Sequence, residues 1–234
     1  LEDAEQEAQN AGGTLSGVLR VSAPLSFGIA HMSTAMAQFM HTHPEIHIEM
    51  DLSDKRVDMI AEGFDVAIRI GNLTDSSLIA KKISSVSVVP TAAPGLIAQW
   101  PQLNHPDDLV NMPALAYGND RSQHDWSYTG PDGKSGSLHI TPRMSANNGD
   151  VLRDLAIAGL GMVSLPTFLH YEAINKGLLK PLFPTYQWNG FDIFVVYPKT
   201  TILPKRTRVF VDFIAGLYGK SPYWEDINGL ALTG

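Results

Sequence analysis

Hydrophobic positions change period repeatedly along this chain, and each change marks an element. Gly17 to Ala23 alternates, with Leu19, Val21 and Ala23 on one side and Val18, Arg20 and Ser22 on the other. That period of two predicts a half-buried strand, which Pro24 ends. From Ser26 the spacing becomes helical: Ile29, Met32, Met36, Phe39 and Met40 share a face, and the stretch from His41 to Pro44 terminates the helix. Ile46 to Leu52 alternates again, Val57 to Ala61 predicts a short helix, and Phe64 to Ile70 predicts a third strand. Strands and helices in regular succession imply parallel pairing through right-handed crossovers, with ligands held beyond the carboxyl ends of the strands. The loops Ser22 to Phe27, Ser53 to Arg56 and Arg69 to Asn72 are therefore expected at one edge.

After Lys82 the pattern changes. Val86 to Ala92 predicts a strand, Pro94 to Trp100 a short helix, and 102–113 a proline-bearing loop. Ala114 to Tyr117 and Trp126 to Tyr128 read as strands, with the G-P-D-G-K-S-G turn (130–136) leading into a strand from Leu138 to Pro142. The most ordered run is 145–166, S-A-N-N-G-D-V-L-R-D-L-A-I-A-G-L-G-M-V-S-L-P: a strand end, a polar turn, a helix, a glycine pair and a buried strand. Val151, Leu152, Leu155, Ala156 and Leu160 are predicted on one helical face with Arg153 and Asp154 opposite, while Asn147, Asn148 and Asp150 offer caps. The start of this helix reads either as an ordinary capped unit or as a holder for a small anion, because its first N–H groups lack helical partners. A helix from Phe168 to Asn175 with Gly177 as its cap, a buried strand from Phe191 to Tyr197, and a helix after Pro204 with Phe210, Phe213, Ile214 and Leu217 on one face complete the pattern.

Composition narrows the function more than the fold. Seventeen Lys and Arg against 24 Asp and Glu leave a net charge of -7, which argues against nucleic-acid binding by this polypeptide. No cysteine is present, excluding a disulfide framework, a thiol nucleophile and a thiol redox switch. His41, His43 and His47 lie close together, but a helix end followed by a strand does not aim them at one point, so no metal site is expected. G-x-S-x-G and G-x-G-x-x-G are absent, and nothing argues for an enzyme or a cofactor. Arg69 carries the most weight: a cation near the carboxyl end of an apolar strand needs either a protein carboxylate, such as Asp54 or Asp65, or a ligand anion. Ser26, at the same edge, is either a cap or a ligand contact. Leu1 to Asn10 reads as the tail of a longer helix, and the chain as a piece of a longer polypeptide.

Four runs carry a family resemblance. G-V-L-R-V-S-A-P-L-S-F-G (17–28), H-P-E-I-H-I-E-M-D-L (43–52), F-D-V-A-I-R-I-G (64–71) and N-N-G-D-V-L-R-D-L-A-I-A-G-L-G-M-V-S-L-P (147–166) resemble, in this order, the effector-binding region of LysR-type transcriptional regulators. The resemblance covers about 17–219. It implies an α/β fold of two Rossmann-like subdomains of periplasmic-binding-protein type II joined by two crossover strands. Residues 1–13 would end a linker helix, 14–86 plus 192–219 would form subdomain I, 87–191 subdomain II, and 220–234 a C-terminal tail. It further implies a cytoplasmic homodimer or homotetramer that contacts DNA through a missing N-terminal winged helix-turn-helix, not through this fragment. A small-molecule effector would lie between the subdomains, lined by Ser26, Phe27, Asp54, Arg56, Arg69, the crossover from Val89 to Ala92, Asn147, Asn148, Pro166 and Phe168. The absence of Cys departs from the peroxide-sensing members.

Magnitudes constrain that effector. One charge-assisted hydrogen bond to Arg contributes roughly 1.5 to 3 kcal/mol, and a helix N-terminus about 0.3 to 1. Together these reach about millimolar affinity, so micromolar sensing also needs a buried apolar body, for which Phe27 and Phe168 are candidates. A carboxylate with a ring or aliphatic portion fits. The alternative from another class is a periplasmic solute-binding protein for uptake, which would share fold and cleft.

Overall fold

The computed structural model describes residues 15–55, 58–71, 77–118, 124–219 and 222–227. In chain order these form β1 (Gly17–Ala23), a helical run α1 (25–42), β2 (Ile46–Leu52), β3 (Val66–Ile70), β4 (Leu78–Val86), β5 (Val88–Ala92), α2 (Pro94–Ile97), β6 (Ala114–Tyr117), β7 (Asp125–Thr129), β8 (Ser135–His139), β9 (Pro142–Ala146), α3 (Gly149–Ile157), β10 (Met162–Pro166), α4 (Thr167–Asn175), β11 (Lys180–Pro181), β12 (Gln187–Trp188), β13 (Phe191–Pro198) and α5 (Lys205–Leu217). Two compact units divide them, one of Leu1–Ser85 with Asp192–Lys220 and the other of Val86–Phe191 with Ser221–Gly234.

The first unit holds one sheet in the order β2-β1-β3-β13-β4. β1 pairs in parallel with β2 and β3, whereas β13 returns antiparallel to β3. Leu19, Val21 and Ala23 of β1 are fully buried, as their alternation predicts. On the opposite side Arg20 meets its register partner Glu49 at 3.2 Å. In α1 the buried positions Met32, Ala35, Met36 and Phe39 recur at helical spacing, and Phe39 packs edge-on against Phe210 of α5 at 5.1 Å. Each large side chain so buried contributes about 1.5 to 3 kcal/mol. Five residues of α1, Gly28–Met32, are wound as π-helix. Gly28 sits against Leu52 with no room for a Cβ, so the first turn of the helix lies close on β2.

The second unit has a five-stranded sheet, β11-β5-β10-β6-β9, and a three-stranded one, β12-β7-β8. β6 is parallel to both β9 and β10, and β5 is antiparallel to β10. Their shared core gathers Leu96, Leu109, Met112, Trp126, Ile140 and Met162. Tyr128 crosses it and donates its hydroxyl to Asp107 Oδ1 at 2.7 Å; burial and that carboxylate push the phenol up to about 12.

The structure corrects several sequence expectations. The short helix expected from Val57 to Ala61 is a set of turns over the described residues 58–63: the Asp58 carboxylate accepts from the Ile60 and Ala61 N–H groups, and Gly63 at φ +70° ends the run after one turn. β4, not anticipated, is an edge strand whose middle is solvent-exposed, so it carries no buried alternation to read. Its Lys81 and Lys82 pair with Asp212 at 2.9 Å and Asp192 at 2.7 Å. The apolar face of α3 is narrower than predicted: Leu152 and Ala156 are fully buried, but Val151 and Leu160 are 45% and 42% exposed. Arg153, expected opposite that face, is instead drawn onto α4, donating to Leu169 O at 3.1 Å and to Asp150 at 2.7 Å. Residues 222–227, expected as tail, dock on the second unit with Trp224 fully buried. The linker helix expected at 1–13 lies outside the described residues.

Candidate functional site

In the first unit the carboxyl ends of β1, β2 and β3 come together through the parallel register. Ser22 lies beside Asp51 and Ala67, and Ser53 N–H donates to Ala23 O at 3.0 Å. Pro24 then turns the chain into α1 with extended φ and ψ, and the Leu25 N–H donates to Asp54 Oδ1 at 3.0 Å. Asp54 is thus the carboxylate at the start of α1, a favourable place for negative charge. Asp65, the other acid considered as a partner for Arg69, accepts from the Arg20 N–H at 2.9 Å and faces Arg206 at 3.8 Å. Arg69 is half-buried near the end of β3, its Nη1 3.3 Å from Ile68 O and 3.5 Å from Ser22 Oγ. Ser26 is buried in the first turn of α1.

Phe27 occupies a different place from the one expected of an apolar ligand contact. Its ring is fully buried, 5.2 Å from the His31 ring and 5.8 Å from that of Tyr218, whose hydroxyl donates to His31 O at 2.8 Å. The side chain is core. Arg56 lies outside the described residues.

In the second unit the parallel strands β9 and β10 deliver the starts of α3 and α4. Asn148, extended at φ -133° and ψ 125°, accepts the Val151 N–H on its Oδ1 at 3.1 Å, so this Asn is the cap of α3, while Asn147 is exposed. A Cβ on Gly149 would run into the tip of the Leu169 side chain, so the beginnings of the two helices lie close together. Pro166 is half-buried and Phe168 is 7% exposed. Ala92 is fully buried in register with Lys180, so it offers its neighbours only a methyl group and backbone.

Within α4, on its buried side, His170 is 1% exposed with Nδ1 3.3 Å from Thr91 Oγ1. Burial, and next the charge of Arg153, push its imidazole down to about 3, so it is neutral and structural. Among the described residues no three His, Cys, Asp or Glu side chains gather as a metal site. Sequence reasoning missed Ser22 as the neighbour of Arg69 and Glu225 as the neighbour of Thr167. The first was legible only as a polar residue in the buried end of a strand, and the second had no local signal.

What the two edges can do is accept small polar or anionic groups on hydroxyls, an amide and a guanidinium, on α/β scaffolds of periplasmic-binding-protein type II. The LysR substrate binding domain matches residues 12–218, and the chain belongs to that family. An uncharacterised helix-turn-helix transcriptional regulator of Haemophilus influenzae is 34% identical over 214 residues, spanning 91% of this chain and 74% of that protein. The regulator PtxR of Pseudomonas aeruginosa is 30% identical over 224 residues, 95% of this chain and 71% of its own. Among solved structures, the full-length Vibrio cholerae virulence activator AphB is similar at TM-score 0.76 and 28% identity, covering 92% of this chain and 73% of AphB. The regulatory domain of CrgA from Neisseria meningitidis is similar at TM-score 0.75 and 26% identity, covering 86% of this chain and 98% of that domain. No helix among the described residues is long and apolar enough to cross a membrane.

Proposed function

We propose that this chain is a non-catalytic sensor: it binds a small carboxylate-bearing molecule and, through the geometry of a homodimer or homotetramer, controls a DNA-binding region that acts in the cytoplasm. The observation that carries the reading is the half-buried Arg69 guanidinium beside Ser22 at the carboxyl edge of β3, next to the start of α1. Ser26 and the backbone at Phe27 join it in the first unit. Asn147, Asn148, Pro166 and Phe168 are the proposed contacts in the second. With the Phe27 ring committed to the core, Phe168 is the remaining candidate for the effector's apolar body. Signalling requires that the effector bind two arrangements of the protein with different affinity, since tight but equal binding shifts nothing.

The test is a thermal-shift screen with benzoate, ring-substituted benzoates and straight-chain carboxylates, each beside its neutral methyl ester. A specific carboxylate raises the midpoint by mass action and its ester does not. Arg69→Ala is expected to weaken that carboxylate roughly 10- to 100-fold, the loss of one charge-assisted hydrogen bond. If ester and acid act alike, or Arg69→Ala binds as tightly as the unmodified protein, the anion-anchoring role is wrong.

A further inference from the structure

Residues 222–227 lie beyond the stretch that the family matches, 12–218, yet they are built into the second unit as a strap over α4. Trp224 is fully buried, the Tyr223 ring meets Tyr171 edge-on at 5.7 Å, and Asn175 Nδ2 donates to Asp226 O at 3.1 Å. The strap also delivers a carboxylate. Glu225 Oε1 accepts the Thr167 hydroxyl at 2.6 Å and the Ser87 N–H at 2.9 Å.

Those two donors stand at the first residue of α4 and just ahead of β5. Pro166, the residue before α4, supplies no side-chain cap, so the negative group at this helix start comes from the strap. The helix starts at these sheet edges therefore differ in kind. α1 has the Asp54 carboxylate and α4 has that of Glu225, whereas α3 is capped by the neutral Asn148 amide.

We infer that Glu225 is the resident anion of the Pro166–Phe168 corner and a specificity-determining residue: it turns this corner away from an effector's carboxylate and leaves anion recognition to Arg69 and the start of α3. A second carboxylate here meets like charge in a partly buried setting. It also finds the single hydrogens of Thr167 Oγ1 and Ser87 N already donated. The part about the effector rests on the sensing role proposed above; the occupancy of the corner does not.

The experiment is chemical rescue in the Arg69→Ala background, which silences the other anion anchor. Thermal midpoints of Arg69→Ala and Arg69→Ala/Glu225→Ala are compared in sodium acetate and in sodium chloride at equal ionic strength. Loss of Glu225 is expected to lower the midpoint by about 2 to 8 °C, and acetate, but not chloride, should restore it saturably in the double variant alone. Acetate acting like chloride in the double variant, or acting equally on both proteins, overturns the inference. Should the double variant fail to fold, a cycle of Thr167→Val and Glu225→Gln replaces it: non-additive midpoints support the contact and additive ones overturn it. A carboxylate selected by the screen should bind Glu225→Gln no more weakly than the unmodified protein; weakening would make Glu225 an effector contact and overturn its excluding role. Rescue with an empty carboxylate screen defeats the effector class alone, and failed rescue leaves the Arg69 result standing.

Discussion

His170 sits in α4 as neutral core, with Thr91 at one ring nitrogen and the Arg153 charge nearby. In the unfolded chain it gains a proton as pH falls through about 6.5, but the native state resists until about 3. The unfolded state thus binds more protons in that window, so stability is full above 6.5 and falls as the solution is acidified. The slope is at most about 1.4 kcal/mol per pH unit. Urea unfolding between pH 7 and 4.5 is expected to show this loss in the unmodified protein and less of it in His170→Gln; equal slopes would mean that His170 titrates normally. At this scale the sequence exposed Arg69, because a cation in an apolar strand is conspicuous, and Asn148, because an amide ahead of a helix is a cap. It misplaced Phe27: alternation and helical spacing say that an aromatic faces something, and only the fold says that it faces His31 and Tyr218.

Elements are held by approaches that spacing alone does not reveal. Gly190, just before β13, is packed so closely that an added Cβ would lie 2.5 Å from Val86 O and 3.3 Å from Ser87 Cα. Both are main-chain atoms, which cannot rotate aside. Gly190→Ala is therefore expected to cost about 1 to 3 kcal/mol, read as a lower urea midpoint with an unchanged slope; a neutral substitution would show that the main chain at Val86 and Ser87 gives way to the added methyl. β2, α3 and α5 were legible because each buries one face and exposes the other, β1 because its first half alternates, and β10 as a short apolar run bounded by Gly161 and its own Pro166. β4 and the strap were not. An edge strand with four consecutive exposed residues has no period to detect, and 222–227 owes its docking to Thr167, Tyr171 and Asn175, distant in sequence.

For the molecule as a whole, charge sets a limit on what this chain does alone. With a net charge of -7 it lacks the excess of cations that phosphate contacts demand. Fluorescence anisotropy with labelled duplex DNA at about 0.15 M salt should show no saturable binding at micromolar protein; saturation that weakens steeply with salt would overturn this. The sequence by itself determined the α/β class, the order of most elements and the family, because periodicity, caps and turn residues are local and the four family runs are ordered along the chain. Only the tertiary structure decided that β13 returns antiparallel beside β3, that Arg153 turns toward α4, that Asp54 serves α1, and that Glu225 serves α4. Each of these depends on which groups a folded backbone brings within hydrogen-bond reach across separations of 16 residues and upward, beyond any single element.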